Sequence, residues 1–280
     1  MHYYVGRDDG SAYTVPDDCA GHAQGYTRAA LVTRACGSVH MEGAMARLAP
    51  GGFVESRVHA YEKGIYLLEG TLELLRGADH LCLTADDYAL IPYATAHALR
   101  NRGTAGARWF EVLTPQPKPA AALRDSFFTG GTAWPADPPA GAGEAAAPLS
   151  GRFRPAQPIP AQDGALARGL TVYRFMERRF GAQCFFMMRG EMALGAFRTR
   201  HDHPVEEFYL GLDGAVDMEI EDRVFRLGAG DFAWTGVGTS HAFRQVGDVP
   251  FRWLETQTPQ FPPAHGTRNY VEWEKLRAGR

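Results

Sequence analysis

Residues 25–116 lie over residues 169–260 without a gap, at a constant offset of 144. Gly25, Gly37, Gly51, Gly70, Arg108, Trp109, Thr114, Pro115 and Gln116 land on Gly169, Gly181, Gly195, Gly214, Arg252, Trp253, Thr258, Pro259 and Gln260. A repeat of this length means two similar units and constrains the fold more than any local pattern does. The shared glycines imply shared turns, so the positions that differ are where the chemistry is expected. Copy two reads His201, His203, Glu207 and His241 where copy one reads Arg57, His59, Lys63 and His97. One copy is equipped to hold a metal and the other is not.

A chain of 280 residues is long enough for two cores. The repeat divides it into an arm and first unit at residues 1–116, a Pro/Ala/Gly-rich linker at 117–165, and a second unit with its tail at 166–280. Pro138-Pro139-Ala140-Gly141-Ala142-Gly143 is typical of the linker. Phe127, Phe128 and Trp134 within it are expected to pin it to a unit surface. Val216, Met218 and Ile220 alternate with Asp217, Glu219 and Glu221, the period-two pattern of a half-buried strand. Gly228-Ala229-Gly230-Asp231 then offers a turn before another strand. Many short strands at regular spacing predict an all-β chain, with an antiparallel barrel or jelly roll in each unit. Helix is expected only at Arg268–Leu276.

Lys and Arg number 29 against 32 Asp and Glu, a balance that argues against nucleic acid or an anionic membrane as partner. Cys19, Cys36, Cys82 and Cys184 show no CxxC spacing, so free thiols are expected rather than a zinc ribbon or disulfides. No apolar stretch approaches a membrane span and the start lacks a signal-like apolar core. These features predict a cytoplasmic protein, as monomer or homodimer, with a small-molecule substrate.

The site-bearing pattern in copy two is Gly195-x5-His201-x-His203-x3-Glu207-x6-Gly214, followed by Gly230-x5-Gly236-x-Gly238-x2-His241-x3-Gln245. Both parts resemble the signature of the cupin family. The departures are Gly236 where the family has Pro and Gln245 where it has Asn, neither a metal ligand in the family. The resemblance spans both repeats and implies a bicupin, two tandem jelly-roll barrels with the metal motif intact only in the second. Residue geometry agrees: His201 and His203 share a strand face, Glu207 is even-spaced from both, and His241 closes the set from a later strand. Three imidazoles and a carboxylate suit one divalent ion per chain, of Fe, Mn, Ni, Cu or Zn.

In copy one, Arg57 has no lone pair to offer a metal and Lys63 adds a second positive charge. Two readings stand: a structural barrel whose pocket is filled, or a small anion pocket formed by Arg57, His59 and Lys63. Around the metal, strand parity places Phe197, Phe243 and, less directly, Trp234 as substrate-contacting walls. Glu207, Tyr209 and Gln245 are the candidate catalytic groups. Glu206, beside Glu207, reads as a solvated charge.

Fold alone does not give function. The resemblance implies a metal-dependent enzyme on a small organic molecule, first a non-haem metal dioxygenase like the quercetinase branch. A metal-dependent hydrolase or isomerase is the alternative, since bicupins resembling ureidoglycine aminohydrolase also keep metal in the second barrel. That family carries Glu, His, His and Gln at the ligand positions, unlike this chain. The third reading is a non-catalytic binding cupin.

Overall fold

The computed structural model describes residues 2–119, 124–136, 139–141, 149–154, 164–260 and 267–269. Its strands repeat as the sequence does. Ala23–Val32, Glu42–His59, Glu62–Glu69, Thr71–Arg76, Asp79–Thr84, Asp87–Ile91, His97–Arg100 and Ala107–Thr114 build the first unit. Ala167–Met176, Phe186–Asp202, Glu206–Asp213, Ala215–Ile220, Arg223–Gly228, Asp231–Thr235, His241–Val246 and Phe251–Thr258 build the second. Strands that are neighbours in sequence are often not neighbours in the sheet: Phe251–Thr258 lies between Phe186–Asp202 and Glu206–Asp213. These crossovers make each unit a jelly roll curled into a nearly closed barrel. The turn glycines behave as the repeat requires. Gly70 and Gly214 have φ of 76° and 69°, and a Cβ there would meet the carbonyl oxygens of Gly106 and Pro250 at 2.3 Å.

Alternation along the strands sorts side chains into three cores. Leu48, Ile65, Leu74, Leu83 and Trp109 fill the first barrel, and Met192, Val216, Met218, Ile220 and Trp253 fill the second. The opposite strand faces meet between the barrels, where Met41, Met45 and Phe110 pack with Phe185, Phe208, Phe232, Trp234 and Leu254. Phe110 and Phe208 stack at 4.9 Å.

The packing is close to two-fold symmetric. Equivalent residues Thr114 and Thr258 touch through their hydroxyls at 3.0 Å. Glu62 accepts from the Gln183 and Cys184 amides at 2.8–3.0 Å, and its counterpart Glu206 accepts from Ser38 Oγ and Val39 N at 2.7 Å. Glu206 is therefore buried docking machinery, not the solvated charge its sequence neighbourhood suggests. The arms are exchanged as well. Tyr3–Arg7 pairs with Asp231–Thr235 of the second barrel, although sequence order groups it with the first. Ser150–Arg152, from the linker, pairs with Asp87–Ile91 of the first.

The linker aromatics act unequally. Phe128 stacks on His22 at 4.1 Å and Trp134 lies under the Arg100 guanidinium at 3.9 Å, whereas Phe127 is exposed. The tail differs from expectation too: Arg268–Asn269 is a short strand on Phe186–Asp202, and the rest of the helix predicted at Arg268–Leu276 lies outside the described residues. Among the described residues the four thiols are free, and no helix is long and apolar enough to cross a membrane.

Candidate metal centre

Strand Phe186–Asp202 brings His201 into the second barrel, His203 follows directly, and the register sets His201 opposite His241 on the adjacent strand. One ring nitrogen from each of the three lies within 4.8 Å of the others. Each Nδ1 is occupied: His201 donates to Thr199 O at 2.8 Å, His241 donates to Thr239 O at 3.0 Å, and His203 lies 3.3 Å from Thr267 Oγ1. The carbonyl acceptors fix the tautomers of His201 and His241 and leave their Nε2 lone pairs facing inward, the arrangement metal-binding imidazoles use. Burial and neighbouring imidazoles hold His201 well below the usual histidine range. Burial does the same for His241, to about 3. Both present neutral lone pairs at physiological pH.

Glu207 joins them from the neighbouring strand Glu206–Asp213. Its oxygens lie 3.3 Å from His203 Nε2 and 3.4 Å from His241 Nε2. Gln257 Nε2 donates to Oε1 at 2.7 Å and Thr235 Oγ1 to Oε2 at 3.2 Å. Burial pushes this carboxyl up to about 8 even against those bonds, because no cation offsets its charge. Three convergent imidazoles and a carboxyl that gains most by ionising next to a cation fit a divalent metal ion. His201, His203, Glu207 and His241 would hold it.

The other predicted residues divide. Tyr209 faces the cluster, with its hydroxyl 3.3 Å from His241 Nε2, and burial keeps it a neutral phenol. Phe243 also faces it, 5.5 Å from the His241 ring and 5.4 Å from Tyr209. Phe197 does not. The strand bulges between Arg198 and His201, three residues there spanning two on the partner strand, which inverts parity. Phe197 consequently pairs with Arg244 and packs under Arg168, while Arg198 sits opposite Phe243. Trp234 is a second correction: it is paired with Phe208 and buried between the barrels, because its strand turns Ala233 and Thr235 inward instead. Gln245 is the third. Its Oε1 accepts from Gly195 N at 2.8 Å and its Nε2 donates to the Val246 and Val249 carbonyls at 2.8 Å, so its amide ties turns together and is spent.

Four residues of the site escape the sequence reading. Arg198 is hidden by the bulge. Its guanidinium donates to Leu166 O at 3.1 Å and Asn269 Oδ1 at 2.9 Å, both neutral acceptors, and burial depresses its pKa. Thr235, Gln257 and Glu255 are the others. Glu255 is fully buried, and burial followed by Glu207 raises it to about 7. Gln257 Nε2 bridges the two carboxyls, reaching Glu255 Oε1 at 2.5 Å. Counting in twos from Trp253 would have put Glu255 and Gln257 on the inner face.

Among the described residues the first barrel carries no such centre. Lys63, at the position of Glu207, is completely buried with its ammonium 2.9 Å from Glu111, which Arg28 also meets at 2.6 Å. Lys63 is thus committed to a carboxylate of its own barrel, and its part in the expected anion pocket falls away. Arg57 reaches Asp18 and Cys19 Sγ at 3.3 Å, and His59 stacks on Tyr61.

Comparison with known proteins fits this geometry. The cupin domain family matches residues 44–113 and 183–256, just over half the chain and one segment per barrel. Comparison with curated proteins finds no match. Among solved structures, oxalate decarboxylase from Bacillus subtilis at pH 4.6 superposes with a TM-score of 0.70 at 15% identity, covering 98% of this chain and 81% of that one. The formate complex of Lactobacillus farciminis oxalate decarboxylase gives 0.69 at 15% identity, covering 97% and 90%. At such identities the likeness speaks for the fold. With a matching segment in each barrel, the chain belongs to the cupin superfamily, as a bicupin.

Proposed function

We propose that this bicupin is a metal-dependent enzyme acting on a small organic carboxylate, held in the second barrel between the metal and Arg198. The observation that carries the reading is Arg198 itself, a half-buried cation beside the imidazole cluster whose hydrogen bonds go to neutral oxygens. A guanidinium in that position recognises a carboxylate with geometric as well as charge specificity. His201, His203, Glu207 and His241 would hold the ion, which supplies Lewis acidity and, for Fe, Mn or Cu, one-electron chemistry. The protein's own groups orient and protonate. Arg198 fixes the carboxylate, Tyr209 keeps a neutral hydroxyl at the His241 face, and Phe243 and Trp253 stack to wall the barrel interior.

Two reactions fit this arrangement. One is the dioxygenase expected from the ligand set, in which O2 is co-substrate. The other is release of carbon dioxide from the bound carboxylate without net consumption of oxygen, a decarboxylation like that named for the oxalate decarboxylases whose fold this chain shares. Arg198 favours the second, since a group that anchors a carboxylate at the metal holds the bond next to that carboxylate in place. The deciding experiment begins with metal content per chain on protein purified without chelators. A panel of mono-, di- and keto-carboxylates then follows, with oxygen uptake and carbon dioxide release recorded in parallel. Oxygen consumed in step with substrate establishes the dioxygenase; carbon dioxide released without matching oxygen uptake establishes the decarboxylase. Turnover of neutral substrates alone would sink the role given to Arg198 and point to a hydrolase or isomerase. Absence of metal after anaerobic reconstitution would leave a binding protein.

A further inference from the structure

The first barrel has lost its metal ligands, yet its interior is not inert. Tyr26 Oη, Arg57 Nε, both ring nitrogens of His59 and His97 Nε2 are among the buried polar atoms that have no hydrogen-bond partner among the described residues. All four side chains are at least nine-tenths buried. They belong together: Arg57 sits directly opposite His97 on paired strands, the His59 and His97 rings meet edge-to-face at 4.3 Å, and the Tyr26 phenol lies within electrostatic reach of Arg57. Tyr61 stacks on the other side of His59 at 4.4 Å and fixes its plane. Unpaired polar atoms are costly inside a barrel, so this many in one place mark a site built around an occupant.

The charges and lone pairs say what that occupant is. Lys63 and Arg28 share Glu111, and Arg28 also meets Glu42, so the charges of those cations are matched, although Arg28 Nη2 has no hydrogen-bond partner among the described residues. Among the described residues Arg57 is ion-paired only with Asp18, a half-exposed carboxylate at 3.3 Å, and so keeps charge to spare for an anion. Arg57 Nε–H and the Tyr26 hydroxyl are donors. His97 is different: its Nδ1 donates to Thr95 O at 3.0 Å, which leaves Nε2 as a bare acceptor. His59 supplies one donor and one acceptor. A plain anion such as chloride or acetate satisfies the donors but meets the His97 lone pair head-on. An oxyanion that keeps an O–H of its own satisfies both.

We propose that the first barrel binds a small, hydroxyl-bearing oxyanion of the hydrogencarbonate class, between Arg57, Tyr26, His59 and His97. The inference stands on this barrel alone and does not depend on the chemistry assigned to the second.

The test uses the full-length, zinc-loaded protein with nitrogen-15 histidine, titrated with sodium hydrogencarbonate, dihydrogen phosphate, acetate and chloride at matched ionic strength. Hydrogencarbonate should move the His59 and His97 ring signals saturably, with acetate and chloride weaker by about tenfold, one good hydrogen bond. Tyr26→Phe, which removes a hydroxyl and keeps the ring, should weaken binding by about five- to tenfold. Arg198→Ala, in the other barrel, should leave these shifts unchanged. The proposal is overturned if no probe moves the first-barrel rings, or if chloride and acetate act as strongly as hydrogencarbonate. Dihydrogen phosphate as the sole binder would overturn the size class. An unaltered affinity in Tyr26→Phe would overturn the assigned contacts.

Discussion

Metal binding to the second barrel should release one proton, and that proton should come from Glu207. In the metal-free protein, burial lifts this carboxyl from 4.5 to about 8, while His201 and His241 stay neutral well below neutral pH. Near pH 6 to 7 the group that must lose a proton to ligate is therefore the carboxyl rather than His201 or His241. At pH 6, two units below the folded value of about 8, that deprotonation should weaken metal affinity by about 100-fold, or about 2.7 kcal/mol. At pH 8 the penalty should shrink to about twofold. Competition against a chromophoric chelator of known pH dependence measures the slope. Calorimetry in two buffers of different ionisation enthalpy measures the proton directly. Glu207→Gln should bind more weakly and lose the slope. A wild-type affinity that is flat from pH 6 to 8 would refute the reasoning. So would an undiminished slope in Glu207→Gln, which would move the proton to Glu255, the other raised carboxyl at about 7. Stability follows the same sign. A group raised on folding favours the folded state at low pH, so the metal-free chain should lose stability as pH climbs from 4.5 through about 8.

Other outcomes follow from the same geometry. Arg198→Ala should raise KM for a carboxylate substrate by about 30-fold, about 2 kcal/mol for a charged hydrogen bond, while metal content per chain stays unchanged. Glu206→Ala removes two 2.7 Å bonds across the barrel interface and should cost about 3 kcal/mol in denaturant unfolding, at about 1.5 for each bond to a charge. Lys63→Ala leaves Glu111 buried with Arg28 but without its ammonium partner, and should cost about 3 kcal/mol by the same measurement. Trp234→Phe should lower stability and leave KM within about twofold, since its ring packs between the barrels.

How much of this was legible in the sequence depended on whether a property is carried by spacing. The offset of 144 transferred to nearly every strand boundary, and the turn glycines that define it sit at positive φ in both copies. His201, His203, Glu207 and His241 converge because parity holds from His201 to His203 and the closing strand is fixed by its turn. Parity failed three residues earlier, where the bulge before His201 put Arg198 inside and Phe197 outside. A bulge is one extra residue against a partner strand, and nothing in one strand's sequence announces it. Trp234 and Glu206 failed for another reason. Both belong to the outer face of a barrel, and an outer face reads as core or as solvent depending on a second barrel that local pattern does not show.

One exchange of charge accounts for the different fates of the two barrels. Glu111 and Glu255 are equivalent, equally buried, and each accepts from the indole two residues before it at about 3 Å. In the first barrel Lys63 stands over Glu111, and Lys63 with Arg28 holds that carboxyl far below its usual range. The ion pair is closed within the protein and needs no further cation. In the second, Glu207 replaces the lysine and faces Glu255 across Gln257, so two carboxyls share a space with no lysine or arginine ion-paired to either among the described residues. Burial raises both carboxyls, and the charge of Glu207 raises Glu255 further. A divalent ion at His201, His203 and His241 resolves the conflict by supplying the charge that lysine supplies next door. The lysine-to-glutamate difference therefore does more than add a ligand: it leaves the second barrel electrostatically incomplete until a metal enters.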